Sequence, residues 1–529
     1  MEEAGAQDAA RRRLVAWWVT LLGLVTLASR LPYFDTTLSI SDSARYALAL
    51  ERYDVTAGRP HPPGNPLYVG LLEAFHRLTG DTVLSLPLVS ALAGALAVVL
   101  VCLFVRDLAG RRAGWIAAAG LATSPLFWFF GSVGMPATCE AALSVGLAWA
   151  CYRSLSSSSA GAFALATLLM AAGFGVRSTF VILVAPLWIW AAWRQGLKRA
   201  APACAVVAAS WIGWTLLVAV LSGGWQAYAA TNSAFFRDVV IGSKILHGGI
   251  AKIPSQIGAI IHSAAGGFGL FLIPLCIGVA RLLRRDRIGD VNLGLFFLLW
   301  AGPSLIFHGI YDWAPRFGVF FLPPGFAIAG IVLAAWGAPE DGGRPVARGR
   351  RVAVGVCAAL ALNVASFTLL KDEGCGRWIL GRNRGYAMRD ALVRQKFDPA
   401  RSILLANDSA FHLIWFLPEY EVVGLYPLFR DAPDAWAPHA RFRTMDFEQS
   451  NRELRPAASP FRLRPGVDTV VLYDQAIARV PLRGIKPVKM DGLLRSSPVP
   501  PGTCMTFGFK ALAFEPCEDA ARGKEGGGS

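Results

Sequence analysis

The chain has 529 residues, 54% of them hydrophobic and only 16% charged, with a mean hydropathy of +0.45. Soluble domains carry roughly 25% charged residues, so these figures exclude an ordinary water-soluble protein and make a bilayer the main solvent. The net charge of +15 also fails to indicate a nucleic-acid partner. Its basic clusters (residues 11–13, Arg106 with Arg111 and Arg112, 194–199, 281–287 and 344–351) fill every second gap between apolar runs, which is the positive-inside bias of a membrane protein.

The first apolar run covers 14–31. A signal peptide also starts basic and ends in small residues, and Leu27-Ala28-Ser29 resembles a cleavage site. The polar loop that follows makes sense only when tethered, so the run is expected to stay as an anchor. Further spans are expected at 87–105, 113–130, 137–152, 201–221, 264–282, 291–308, 317–336 and 352–370, with two shorter runs at 161–174 and 179–193.

Eleven spans with a basic N-terminus inside place that terminus in the cytoplasm of an inner or plasma membrane. The loop at 32–86 and everything after residue 371 then face the periplasm or exterior. The first outer loop carries six acids against four arginines, consistent with that side. No internal repeat of the kind found in many secondary transporters is visible.

Charges, prolines and short alternating runs return after Lys371. The expected division is therefore a membrane domain, 1–370, with a functional first outer loop at 32–86, and a small soluble α/β domain, 371–529. Strands are expected at 402–406, 421–425 and 469–473, with a helix over 386–395. Cys504 and Cys517 bracket a hairpin-like segment, and a disulfide between them is reasonable outside the cytoplasm. With Cys375 nearby, the pairing stays open. The other six cysteines read as small apolar fillers, and the final Gly-Gly-Gly-Ser as linker. Asn407-Asp408-Ser409 has the sequon pattern. Asp408 and His412 stand four apart without a third partner, so no metal is assigned.

The chemistry concentrates in the first outer loop. Asp42 precedes a segment in which Tyr46, Leu50 and Tyr53 share a helical face, so it can serve as an N-cap and as an outward-aimed carboxylate. His61-Pro62-Pro63-Gly64 starts outside any helix, because proline removes donors and forces its neighbour extended. Elsewhere, Glu140 heads the fourth span, where an ionisable residue is costly and functional by default. An interfacial, solvated Glu is the plain alternative. Arg177 interrupts two short apolar runs and can equally snorkel. Arg316 stands beside Tyr311-Asp312-Trp313 and suits bidentate phosphate binding, or pairs with Asp312. Arg237, Lys244, His247 and Lys252 punctuate the long outer loop and face either a phosphate or anionic lipid.

Asp42, Arg45-Tyr46-Ala47, Pro62-Pro63 and Pro66-Leu67-Tyr68 together resemble the first outer loop of the GT-C membrane glycosyltransferases. Among these, lipid A aminoarabinose transferases have Asp-Glu-Ala-Arg-Tyr-Ala and a later Lys-Pro-Pro. Protein O-mannosyltransferases, of glycosyltransferase family 39, carry an acidic pair and then His-Pro-Pro. The closest likeness is to O-mannosyltransferase-related membrane proteins with His-Pro-Pro-Gly-Tyr-Pro-Leu-Tyr. It continues more thinly through Ser124-Pro125, Trp128, Glu140, Gly173 to Arg177, and Arg316 near Pro323-Pro324, over about two thirds of the chain.

The resemblance implies a GT-C fold and an inverting sugar transfer from a polyprenyl-phosphate donor to a glycan, lipid or protein acceptor at the outer face. Asp42 falls on the family's catalytic carboxylate, acting as general base. His61, Arg316, Glu140, Arg45 and Tyr68 fall at positions that bind donor phosphate or substrate. Where many relatives have a second acid directly after the first, this chain has Ser43. That argues against a paired-acid or metal-assisted mechanism, so no cofactor is assigned and a divalent metal is not indicated. Two alternatives stand beside this reading: a polymerase or ligase of lipid-linked oligosaccharide, and a non-catalytic lipid-glycan transporter or scaffold with Asp42 a mere cap.

Overall fold

The computed structural model describes residues 2–236, 253–282, 287–288, 291–310, 314–338, 345–406, 409–424, 442–444, 449–450, 453–454, 461–474, 482–508 and 511–517. The chain forms two compact units. One comprises Met1–Asp35, Asn65–Leu217 and Ser243–Leu380; the other comprises Thr36–Gly64, Val218–Gly242 and Gly381–Ser529.

The first unit is helical. Among the described residues seven stretches are long and apolar enough to cross a membrane: Arg13–Tyr33, Thr82–Ala109, Leu197–Leu221, Ile253–Leu282, Leu293–Ile310, Pro315–Trp336 and Arg348–Leu369. The other four expected spans coincide with helices that are interrupted, shorter or more polar. Ala137–Ser157 carries Glu140 and Arg153, while Ala160–Val176 and Phe180–Gln195 are shorter. Residues 113–130 are split into Arg111–Thr123 and Pro125–Phe130. The break follows from Pro125, which lacks an N–H and drives Ser124 to ψ 120, out of the helical region. Ser124 Oγ caps the new start through Phe127 N and donates to Gly267 O at 2.6 Å.

Pro315–Trp336 is the most enclosed span, with 83% of its apolar window buried. Small residues let its neighbours approach closely, as in other membrane bundles. A Cβ at Gly330 would lie 2.7 Å from Ala113 O and 2.9 Å from Ala117 Cβ. The outer helices show the reverse pattern: Val220 is 74% exposed, Ile306 64% and Trp211 58%. An apolar surface on that scale needs lipid against it.

The second unit holds a six-stranded mixed sheet in the order Val488–Met490, Leu494–Pro498, Thr469–Leu472, Ser402–Ala406, Glu421–Gly424, Phe442–Thr444. The first two pairings are antiparallel and the next three parallel. The three central parallel strands, Thr469–Leu472, Ser402–Ala406 and Glu421–Gly424, are mostly aliphatic, as expected where both faces are covered. A four-stranded sheet runs Leu482–Arg483, Ala511–Pro516, Thr503–Gly508, Phe461–Arg462. Ile403, Leu405, Val423, Val470, Met505, Leu512 and Phe514 pack into one core. Cys504 and Cys517 form a disulfide, and Cys375 is a buried free thiol.

The expected helix over 386–395 is longer, Gly376–Lys396. The expected division put the polar loop with the membrane part. Residues Thr36–Gly64 instead belong to the unit that contains the C-terminal sheets, where their backbone groups find partners, among them Thr37 O with His412 and Val55 N with Ser222.

Candidate active site

In the second unit, helix Ser41–Glu51 begins after Ile40, whose carbonyl accepts from Ala44 N at 3.2 Å. Asp42 is therefore the second residue of the helix and not its N-cap, and Tyr53 lies beyond the helix end. A carboxylate in the first turn is favoured by the positive end of the helix dipole. Asp42 Oδ1 stands 3.6 Å from His61 Nδ1, and each side chain is about a fifth exposed, 18% and 20%. That separation is too long for a hydrogen bond and right for a charge contact when the imidazole is protonated. Tyr46 is fully buried and sets its ring edge against His61, with centroids 5.8 Å apart. Arg45 is buried too, its guanidinium 4.3 Å from the Phe411 ring centroid.

The loop that presents His61 is built by Asp54. Its carboxylate accepts from Thr56 N, Thr56 Oγ1 and Ala57 N, and its backbone exchanges two hydrogen bonds with Arg59. A tight turn follows, closed by Gly64 N donating to His61 O at 3.0 Å. Gly64 sits at φ +86, where a Cβ would lie 2.4 Å from Tyr53 Oη, so only glycine fits. Tyr228 Oη donates to Pro63 O from Trp225–Phe235.

Arg59 was missed by the sequence reading. It is 1% exposed, and none of its side-chain nitrogens meets a hydrogen-bond acceptor among the described residues. Burial pulls the guanidinium down to about 10; Glu51 and Asp54 oppose this and Arg52 adds to it.

In the first unit three separately chosen residues come together. Glu140 lies in the first turn of Ala137–Ser157, 3% exposed, and accepts from Arg177 Nη1 at 3.0 Å. Arg177 ends helix Ala160–Val176 in an extended conformation, which turns its side chain out of the helical register. Its guanidinium is 5.0 Å from the Phe317 ring centroid, and that of Arg316 is 5.1 Å from the same ring. Arg316 also acts electrostatically on Glu140.

His308 completes the group by stacking on Phe317 at 4.0 Å and 8°. Sequence reading does not single out His308, which only closes the expected span 291–308. The Phe317 ring thus carries two guanidiniums and an imidazole, with the Glu140 carboxylate bound to one of the guanidiniums, and guanidiniums so placed suit an anion. Tyr68 is fully buried near the start of Pro66–Thr79.

Asp312 with Tyr311 and Trp313, the group Arg237, Lys244, His247 and Lys252, and Asn407-Asp408 lie outside the described residues. Among the described residues no set of three or more His, Cys, Asp or Glu converges as metal ligands.

A family model described as dolichyl-phosphate-mannose-protein mannosyltransferase matches residues 60–225, a stretch that takes in His61, Tyr68, Glu140 and Arg177. The crystal structure of ArnT from Cupriavidus metallidurans in the apo state is similar with a TM-score of 0.57 and 16% identity, over 93% of this chain and 98% of that one. The same protein bound to undecaprenyl phosphate gives a TM-score of 0.58 and 16% identity, over 91% and 98%. The curated proteins hold no significant sequence match to this chain. The fold is that of the GT-C glycosyltransferases, carried by a multi-pass α-helical membrane protein.

Proposed function

We propose that the protein is a membrane glycosyltransferase that moves a sugar from a polyprenyl-phosphate donor to an acceptor hydroxyl at the outer membrane face, with inversion. Support for the donor class comes from the ArnT structure bound to undecaprenyl phosphate and from the matching family, whose description names dolichyl-phosphate-mannose. The observation that carries the chemistry is the Asp42 carboxylate, held in the first turn of its helix, part-exposed, with His61 3.6 Å away.

In the proposed step the acceptor oxygen attacks the anomeric carbon while Asp42 takes its proton. The bond from that carbon to the phosphate oxygen breaks, and the electron pair leaves with the polyprenyl phosphate. A single displacement from the face opposite the leaving group inverts the anomeric centre. Charge grows on the departing phosphate, so cationic donors act most strongly in the transition state. His61 and Arg45 are assigned that role in the second unit. In the first unit, Arg316 and Arg177 are phosphate-seeking groups around Phe317, and Glu140 balances part of their charge. Tyr68 is assigned to substrate contact and the C-terminal sheets to acceptor selection. The N-terminus is assigned to the cytoplasm and the C-terminal residues to the outer face of the inner or plasma membrane.

Asp42→Asn keeps the shape and removes the base. Turnover with a polyprenyl-phosphate sugar is expected to fall by about 10² or more, with donor binding retained. Near-normal turnover would overturn the mechanism. Mass spectrometry of lipid co-purified with the wild-type protein tests the donor class directly: only zwitterionic phospholipid, with no polyprenyl phosphate, would count against it.

A further inference from the structure

The polar cluster around His412 has no part in the step above, yet it grips the chain just ahead of Asp42. His412 lies in helix Ala410–Phe416 and is 2% exposed. Its Nδ1 is 2.6 Å from Thr37 O, and its Nε2 is 3.0 Å and 3.2 Å from the two Asp390 carboxylate oxygens. Both partners are acceptors, so the ring makes both bonds only with both nitrogens protonated. Asp390 is fixed in turn by Tyr473 Oη, which donates to it at 2.6 Å.

More anchors fall on the same few residues. Asn383 Oδ1 accepts from Thr36 N at 3.3 Å and from Thr37 Oγ1 at 3.0 Å. Arg382 Nη2 donates to Ser39 O at 2.8 Å. Between these anchored residues, Leu38 is buried at φ +47. A leucine persists in that left-handed conformation only where its surroundings over-determine it. Ser39 then leads through Ile40 into the helix whose second residue is Asp42.

We propose that His412 is a positioning residue. Backed by Asp390, it clamps the Thr37 carbonyl, keeps Leu38 in its left-handed turn and so sets the entry of helix Ser41–Glu51 and the direction of the Asp42 carboxylate. The inference rests on Asp42 as the base. Its structural part, the clamped strap of residues 36–39, stands on the geometry alone. A buried histidine–carboxylate contact is weak evidence for stability, and the role proposed for this one is to fix a single arrangement. Here that arrangement leads directly into the carboxylate's helix.

The test compares two substitutions in the full-length protein. In His412→Asn the amide N–H replaces Nδ1 and keeps the Thr37 contact while losing Asp390. In His412→Gln the longer amide replaces Nε2 and keeps Asp390 while losing Thr37. Turnover, donor affinity and amide hydrogen exchange over residues 36–46 are measured for both.

For His412→Gln, kcat should fall toward about 10²-fold, the effect of misplacing a catalytic group by about 1 Å. Donor affinity should stay within about twofold, and exchange over 36–46 should rise. His412→Asn should keep kcat within about threefold of wild type, with near-normal exchange. Equal losses in both variants, or a kcat loss in His412→Gln without faster exchange, would overturn the proposal. Asp42→Asn run in parallel separates the two readings. If that variant turns over normally, the base assignment falls, and exchange alone then decides whether the strap is clamped.

Discussion

Substituting Glu140 by Gln should expose the charge balance around Phe317. The Glu140–Arg177 contact is 3.0 Å long, with side chains 4% and 20% exposed. At an effective dielectric of about 20, the attraction at that distance is about 5 kcal/mol, most of it offset by the desolvation of both ions. Removing one partner forfeits the attraction while the other stays buried, which costs about 3–5 kcal/mol. Glu140→Gln takes the carboxylate bound to Arg177 away from a ring that carries two guanidiniums and should fall at the top of that range. Arg177→Gln leaves Glu140 still under the influence of Arg316 and should cost about 1–2 kcal/mol less.

The double variant should recover part of the loss, with a coupling energy of about 2 kcal/mol. The assay is thermal unfolding of monodisperse protein in detergent, with and without undecaprenyl phosphate. Added lipid phosphate should stabilise Glu140→Gln more than wild type, because cations that have lost the Glu140 carboxylate gain an anion. Equal single losses that simply add in the double variant, with no larger lipid response, would refute the anion-receptor reasoning.

Arg59→Ala should act in opposite directions on two readouts. Removing a buried guanidinium that has no acceptor among the described residues raises the melting temperature of the lipid-free protein, and donor affinity falls if that guanidinium is completed by the donor's phosphate; a lowered melting temperature would assign Arg59 to the fold alone. Arg316→Lys should bind donor and turn over slowly, since a point charge replaces two parallel hydrogen bonds where charge develops, and unchanged kinetics in Arg316→Ala would remove it from the phosphate site. Burial pushes the Tyr386 and Tyr473 hydroxyls up, with the Asp390 carboxylate adding to the effect at Tyr473. The folded state therefore holds protons that the unfolded chain releases above about pH 10, and stability should drop as pH rises through that window; Tyr473→Phe should flatten the slope in an alkaline denaturation series. In a background lacking the exposed Cys204, Cys276 and Cys357, Thr56→Cys should label from outside intact cells and Ser157→Cys only after permeabilisation, and the reverse pattern would invert the assigned topology.

The helical frame was legible because apolar runs of spanning length leave few other solvents for themselves. The central strands were legible because short aliphatic runs such as Ser402–Ala406, bounded by polar residues, read as strands buried on both faces. Asp42, His61, Glu140, Arg177 and Arg316 could be picked one by one as polar residues out of place. The grouping of the last three could not be seen, since nothing along the chain says that Arg177 and Arg316 share the Phe317 ring with His308 or that Arg177 binds Glu140. The helix start was misjudged by two residues because Ser41 and Asp42 both favour caps, while the backbone gives the role to Ile40. Arg59 carries no motif, and its burial is a property of the folded loop. The grip of His412 on Thr37 joins positions 375 apart, and the left-handed Leu38 between the anchors contradicts what leucine alone would suggest.

The placement of Thr36–Gly64 in the same unit as the C-terminal sheets bears on how proteins of this fold diversify. A chimaera cut only at residue 370 would join a native polar loop to foreign sheets and strand its carbonyls and strained turn without their partners. The exchangeable module is discontinuous: the loop and the C-terminal residues have to be inherited, or grafted, together. Acceptor preference and catalytic competence are then expected to drift in step across homologues, and libraries that randomise the C-terminal sheets should include Thr36–Ser39 among the positions allowed to vary.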